Sequence, residues 1–119
     1  MNNKILLIDD DELMLEALDC FLMMEHFNTH KVAKAEQIIQ SVNDFKPDLI
    51  VMDIRLDTAD GRTVCDELKS ETSTSHIPII LLTGLTFDEI AYIDCSADAI
   101  IGKPFLNSSL LHTINQLLK

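Results

Sequence analysis

Two hydrophobic patterns alternate along this chain. Unbroken apolar runs, Ile5-Leu6-Leu7-Ile8, Leu49-Ile50-Val51-Met52 and Ile79-Ile80-Leu81-Leu82, are separated by stretches where apolar residues recur every three or four positions. A short continuous run reads as a strand buried on both faces, as in a parallel sheet. The wider spacing is that of an amphipathic helix. Met14, Leu18, Phe21 and Leu22 predict a helix over 13–24, and Ala35, Ile38, Ile39, Val42 and Phe45 a second over 35–45. Lys46-Pro47-Asp48 stops it, because proline cannot continue a helix and restrains its predecessor. Val64 and Leu68 mark a short third helix, and Ile90, Ala91 and Ile93 a weak fourth over 88–95. The last helix starts near Asn107 or Ser108, both good caps, and carries Leu110, Leu111, Ile114, Leu117 and Leu118 inward. Residues 29–32 and 99–101 complete the strands, and polar loops are expected over 57–61 and 70–76.

Five strand–helix alternations predict a doubly wound α/β fold, a five-stranded parallel sheet with helices on both faces. A mixed sheet would call for hairpin pairs such as Asn-Gly, and none occurs. No linker, repeat or low-complexity tract interrupts the pattern, so residues 1–119 are expected to form one domain.

Composition narrows the function. The 119 residues are 47% hydrophobic, enough for a real core, and no apolar run approaches the roughly 20 residues that span a bilayer. Nothing at the N-terminus resembles an export signal, so a cytoplasmic location and no membrane partner are expected. A net charge of −11 repels phosphate backbones and argues against direct nucleic-acid binding by this domain. Acidity also suits a divalent cation, although most of the 20 acids are expected on solvated helix faces. Cys20, Cys65 and Cys95 are odd in number and widely spaced, so buried or half-buried positions in helices fit them better than disulfides or zinc. His26, His30, His76 and His112 lack metal-ligand spacing and are expected at the surface or at helix ends. Met14, Met23 and Met24 are expected to fill the core.

Four strands end in chemically useful residues: Asp9-Asp10, Asp53, Thr83 and Lys103. In a parallel sheet these ends share one edge, where ligands and chemistry gather. Each residue also has a plainer role. Asp53 could cap the next helix, Asp9 to Asp11 could be first-turn acids favoured by the helix dipole, Thr83 could serve a turn and Lys103 could be a surface lysine. Taken together the set is coherent. Carboxylates suit Mg2+, a carboxylate can attack phosphorus to give an aspartyl phosphate, and a lysine and a hydroxyl can stabilise the phosphoryl oxygens.

In order and spacing, Ile5-Leu6-Leu7-Ile8-Asp9-Asp10-Asp11, residues 47–56, Asp60-Gly61, Ile79-Ile80-Leu81-Leu82-Thr83-Gly84 and Gly102-Lys103-Pro104-Phe105 resemble the receiver domain of two-component response regulators, of the chemotaxis-regulator type. The likeness runs from Lys4 to Lys119. It implies a flavodoxin-like strand order 2-1-3-4-5, which the family's chemotaxis member exemplifies. It also implies that Asp53 accepts a phosphoryl group from a phosphohistidine on a sensor histidine kinase or phosphotransfer protein. Asp9 and Asp10 would hold Mg2+ together with Asp53 and the main-chain carbonyl of Arg55. Thr83 would turn toward the phosphoryl oxygens, Lys103 would pair with them, and Lys103-Pro104 would be cis, an isomer that X–Pro bonds accommodate. Such a domain is not an enzyme toward external substrates and catalyses only its own phosphorylation and dephosphorylation. Its output domain or target would dock on the face formed by the fourth helix, fifth strand and last helix, around Ile93, Ile100 and Phe105, and self-association as a homodimer is a further form open to it.

Three positions depart from the family pattern. Ile100 stands where an aromatic residue often reports phosphorylation, Asp57 where a proline is common, and Gly84 where alanine is common. Two other functions fit parts of the chain. One is a receiver-like docking module that works without phosphorylation, to which Ile100 lends support. The other is a small haloacid-dehalogenase-like phosphatase, which Asp9-Asp10-Asp11 and Lys103 suit but the absence of acids after Lys103 disfavours.

Overall fold

The three unbroken apolar runs form the centre of one sheet in the computed structural model, which describes residues 2–84 and 95–119. They are β1 (Lys4–Ile8), β3 (Leu49–Asp53) and β6 (Ile79–Thr83), flanked by β2 (Asn28–Val32) and β7 (Ala99–Gly102). All neighbours are parallel in the order β2-β1-β3-β6-β7, which is 2-1-3-4-5 when only this sheet's strands are counted. That is the expected doubly wound arrangement.

Burial explains why continuous runs were needed. Ile5 to Ile8, Leu49 to Met52 and Ile79 to Leu82 are none of them more than 2% exposed. Alternate side chains enter different cores. Leu6, Ile8, Ile50, Met52, Ile79 and Leu81 pack with Ile38 and Val42 of α2 (Ile38–Phe45) and with Cys65 and Leu68 of α3 (Gly61–Ser70). Ile5, Leu7, Leu49, Val51, Ile80 and Leu82 pack with Leu15, Leu18 and Leu22 of α1 (Glu12–Met24) and with Leu110 and Ile114 of α4 (Asn107–Leu117). Each such Leu or Ile contributes roughly 1.5–3 kcal/mol by leaving water, so a helix on each face is what makes the central strands stable.

Several local expectations need correction. The buried stripe of α1 is Leu15, Leu18 and Leu22, with Met14 and Phe21 half-buried at its flanks. Met23 and Met24 point to solvent at 58% and 77% exposure and fill no core. Cys20 is exposed, whereas Cys65 is buried and Cys95 half-buried at a bend. The second helix opens with a 3-10 turn at Ala35–Gln37, and Ile39 is left half-exposed. It ends as expected, with Lys46 in the left-handed region at φ 53° ahead of Pro47. Neither Asn107 nor Ser108 caps α4; Leu106 takes the cap position without a side-chain bond. Leu110 and Ile114 are buried as expected, while Leu111, Leu117 and Leu118 are only half-buried. The four histidines are all exposed, as expected. Residues 88–94 of the weak helix, with Ile90, Ala91 and Ile93, lie outside the described residues.

The loop after Asp53 is more ordered than its polarity suggests. Arg55–Leu56 (β4) and Ala59–Asp60 (β5) form an antiparallel hairpin turned by Asp57 and Thr58. Leu56 is buried beneath it, and the Gly61 amide donates to the Ile54 carbonyl at 2.6 Å.

Candidate functional site

At the carboxyl edge of the sheet, β1 hands the chain to Asp9, β3 ends in Asp53, β6 ends in Thr83, and Lys103 follows β7. The topology therefore brings together the four strand ends that the sequence singled out. Asp9, Asp53 and Thr83 are buried, at 1%, 9% and 3% exposure. Burying a carboxylate is costly without compensation, so these acids need a cation or hydrogen bonds beside them.

Among the described residues, a lysine supplies the cation. The Lys103 ammonium stands 3.3 Å from Asp53 Oδ1 and 3.6 Å from Asp9 Oδ2, bridging the two acids. Its backbone is fixed by a 2.6 Å hydrogen bond from its own N–H to the Thr83 carbonyl, alongside the register of Thr83 with Gly102. The Lys103–Pro104 peptide is cis, as expected.

Asp9 is hydrogen-bonded on one side only, with Lys103 as an ion-pair partner on the other. Its Oδ1 accepts the Asp11 amide at 2.9 Å, whereas Oδ2 is buried and accepts no hydrogen bond. Burial pushes the Asp9 carboxyl up to about 6; the Asp11 amide and then Lys103 pull it down, and the charges of Asp53 and Asp10 push it up. One carboxylate oxygen from each of Asp9, Asp10 and Asp53 lies within 4.8 Å of the others. Three hard oxygen donors, with one buried Asp9 oxygen that accepts no hydrogen bond, fit a divalent cation such as Mg2+. Arg55, whose main-chain carbonyl was expected as a further ligand, opens the hairpin two residues beyond Asp53 with its side chain exposed.

The plainer roles fall to other residues. Asp11 is the cap of α1, its Oδ1 accepting the Leu13 and Met14 amides at 3.0 and 3.4 Å. That commitment takes Asp11 out of the paired-acid reading a phosphatase would need. Asp53 caps nothing; α3 is capped by Asp60, which accepts the Arg62 amide and is held in turn by the Arg62 guanidinium. Those bonds keep the Asp60 carboxyl below the usual carboxylate range.

One feature escaped the sequence reading. A Cβ built on Gly61 would sit 2.6 Å from the Asp53 carbonyl oxygen and 2.9 Å from the Ile54 Cα, so only glycine lets α3 approach the acceptor strand this closely. The Asp-Gly pair ahead of a helical pattern was the available signal. Asp57, one of the three departures from the family pattern, sits on the turn of the β4–β5 hairpin. Its carboxyl is exposed and is raised above its ordinary value, first by a hydrogen bond with Asp10 and then by the Asp10 charge.

Comparison with known proteins agrees with this fold. A family model described as the response regulator receiver domain matches residues 5–115. The DNA-binding response regulator MtrA of Mycolicibacterium paratuberculosis is 31% identical over the whole of this chain, which spans about half, 52%, of that relative's length. The signal receiver domain of a signal transduction histidine kinase from Syntrophus aciditrophicus superimposes with a TM-score of 0.89 at 30% identity, covering 98% of this chain and 89% of that one. The receiver domain of a Pseudomonas aeruginosa sensor histidine kinase, solved with magnesium coordinated in its active-site cleft, shares the fold with a TM-score of 0.87 at 24% identity and covers 99% and 98% of the two chains.

Proposed function

We propose, since this chain belongs to the response regulator receiver domain family of two-component systems, that Asp53 is its phosphoacceptor and that phosphorylation switches a partner interaction. The observation that carries this reading is the meeting of Asp9, Asp10 and Asp53 oxygens within 4.8 Å, with the Lys103 ammonium 3.3 Å from Asp53.

In this reading an Asp53 carboxylate oxygen attacks the phosphorus of a phosphohistidine on a sensor kinase or phosphotransfer protein. The P–N bond breaks, the imidazole leaves, and Asp53 carries an acyl phosphate. Lys103, already beside Oδ1, neutralises charge on the transferred group, and the Thr83 hydroxyl at the end of β6 hydrogen-bonds it. When bound, a Mg2+ ion held by Asp9, Asp10, Asp53 and the Arg55 carbonyl supplies further neutralisation of the phosphoryl oxygens. Attack of water on the same phosphorus breaks the P–O bond to Asp53, releases inorganic phosphate and restores the carboxylate, so the domain's catalysis is limited to its own phosphorylation and dephosphorylation.

The new phosphoryl group carries about −1.5 to −2 charges at neutral pH. It biases Thr83 and the segment after it between two arrangements, and a face including Ile100 and Phe105 passes this to an output domain or target in the cytoplasm. Both residues are half-buried at the surface of the two cores. Beryllofluoride with Mg2+, a stand-in for the phosphoryl group, should shift amide resonances around Asp53, Thr83 and Lys103 in the wild type and leave Asp53→Asn unchanged. Identical spectra before and after addition to the wild type would overturn the reading and favour a docking module that works without phosphate.

A further inference from the structure

A groove of about 440 Å³ runs between α2 and α3, with buried Val42 and Leu68 as its floor and the half-exposed Ile39 at its mouth. A second lobe of about 310 Å³ continues it past Val42 and Thr74 to Pro47, ahead of β3, and Ile77, ahead of β6. The groove therefore lies at the amino edge of the sheet, opposite Asp53. One wall is prebuilt. Buried Thr74 donates from its hydroxyl to the Leu68 carbonyl at 2.5 Å, and the Thr74 and Ser75 amides donate to the Glu71 carbonyl at 3.1 and 2.8 Å. The rim is acidic. Glu67 and Glu71 line the larger lobe, four residues apart at the C-terminal end of α3. Like charges at that spacing repel, and a helix C-terminus disfavours anions. Lys69, the basic residue of this last turn, is held elsewhere, by Asp98 and by the Ile77 carbonyl at 2.8 Å each. Among the described residues, no hydrogen bond or ion pair engages the Glu67 or Glu71 carboxylate.

We propose that this groove docks a partner protein through a short segment that is both basic and apolar. A leucine or phenylalanine of the segment covers Ile39, Val42 and Leu68, and a lysine or arginine on each side of it pairs with Glu67 and Glu71. Apolar area removed from water holds the segment. The cations select it, because they relieve a repulsion that the fold itself leaves standing. A second copy of this chain, at a net charge of −11, brings the wrong sign, as a nucleic acid does. The groove and Asp53 lie at opposite ends of β3, roughly 15 Å apart along the strand, so docking here is independent of the chemistry at Asp53.

The test is an NMR titration of the intact chain with the acetylated, amidated peptide Ser-Lys-Leu-Phe-Lys-Ser, following backbone amides. Two control peptides carry glutamate in place of lysine, or serine in place of leucine and phenylalanine. Only the first peptide should give saturable shifts at Ile39, Asn43, Leu68 and Thr74. The double variant Glu67→Gln/Glu71→Gln, whose fold circular dichroism checks, should bind it about three- to tenfold more weakly at about 0.05 M KCl, and the gap should narrow at about 0.5 M KCl. Ile39→Ser should weaken binding at both salt concentrations, and Asp53→Asn should bind as the wild type does. Shifts confined to other surfaces, the carboxyl edge of the sheet included, overturn the site. Equal binding of the glutamate peptide, or an unweakened double variant, overturns the chemistry of the partner. Altered affinity in Asp53→Asn overturns the independence of the two edges. Shifts of the groove amides with protein concentration alone make a second copy the occupant and overturn the proposal.

Discussion

Replacing Asp9 by asparagine should stabilise the metal-free protein at neutral pH. Burial lifts the Asp9 carboxyl from 3.8 to about 6, so the folded state holds its proton more tightly than the unfolded chain does. Such a group contributes stability that is fully present below pH 3.8 and is lost as pH rises through about 6. A tenfold change in proton affinity corresponds to about 1.4 kcal/mol, so ionised Asp9 costs the metal-free fold on the order of 3 kcal/mol at pH 7.5. Asparagine keeps an oxygen for the Asp11 amide and removes the buried charge. It also removes the attraction to Lys103, which is already contained in the value of about 6. A gain of roughly 1–3 kcal/mol is therefore expected, or about 3–15 °C in Tm for a domain of this size. Urea denaturation followed by circular dichroism in EDTA, from pH 4 to pH 8, measures it. The difference between Asp9→Asn and wild type should be small near pH 4, grow through pH 6 and level off above pH 7. A difference that does not vary with pH, or an Asp9→Asn protein less stable than wild type at pH 7.5, would refute the idea that Asp9 is a strained, desolvated acid.

Lys103→Met removes a charge that holds Asp9 down, so the Asp9 carboxyl should titrate above about 6, as read from carboxyl carbon shifts in an NMR titration without metal. Gly61→Ala would force its Cβ against the Asp53 carbonyl oxygen and the Ile54 Cα; it should cost roughly 1–3 kcal/mol in urea unfolding and slow labelling by acetyl phosphate. Gly84→Ala meets nothing within 4 Å and has no positive φ to strain, so it should be neutral or stabilising by about 0.4–1 kcal/mol through the unfolded chain.

The central strands were legible because burial on both faces forces an unbroken apolar run, and β1, β3 and β6 carry one each. The edge strands were harder to read. β2 exposes Asn28, His30 and Lys31, so its hydrogen-bonded partner β1 rather than its own composition makes it a strand. Helix periodicity located the helices but not which side chains lie deepest. Leu15 rather than Met14 is the buried residue of α1's first turn, a choice made by packing against β1 and β2. Met23 and Met24 show that apolar residues near a helix end need not find a core. The acids at the strand ends were legible as a set because topology alone puts them on one edge. What the sequence left open was which acid does what. That division depends on local hydrogen bonds: Asp11 and Asp60 cap helices, which leaves Asp9, Asp10 and Asp53 to face one another.

The central claim is that Asp53 accepts a phosphoryl group. The most direct measurement treats the protein with acetyl phosphate and Mg2+, reduces the acyl phosphate with borohydride, and maps the product by peptide mass spectrometry. The account predicts homoserine in place of Asp53 and at no other position, and no such product from Asp53→Ala. Homoserine at Asp9 or Asp10, or label retained by Asp53→Ala, would contradict it.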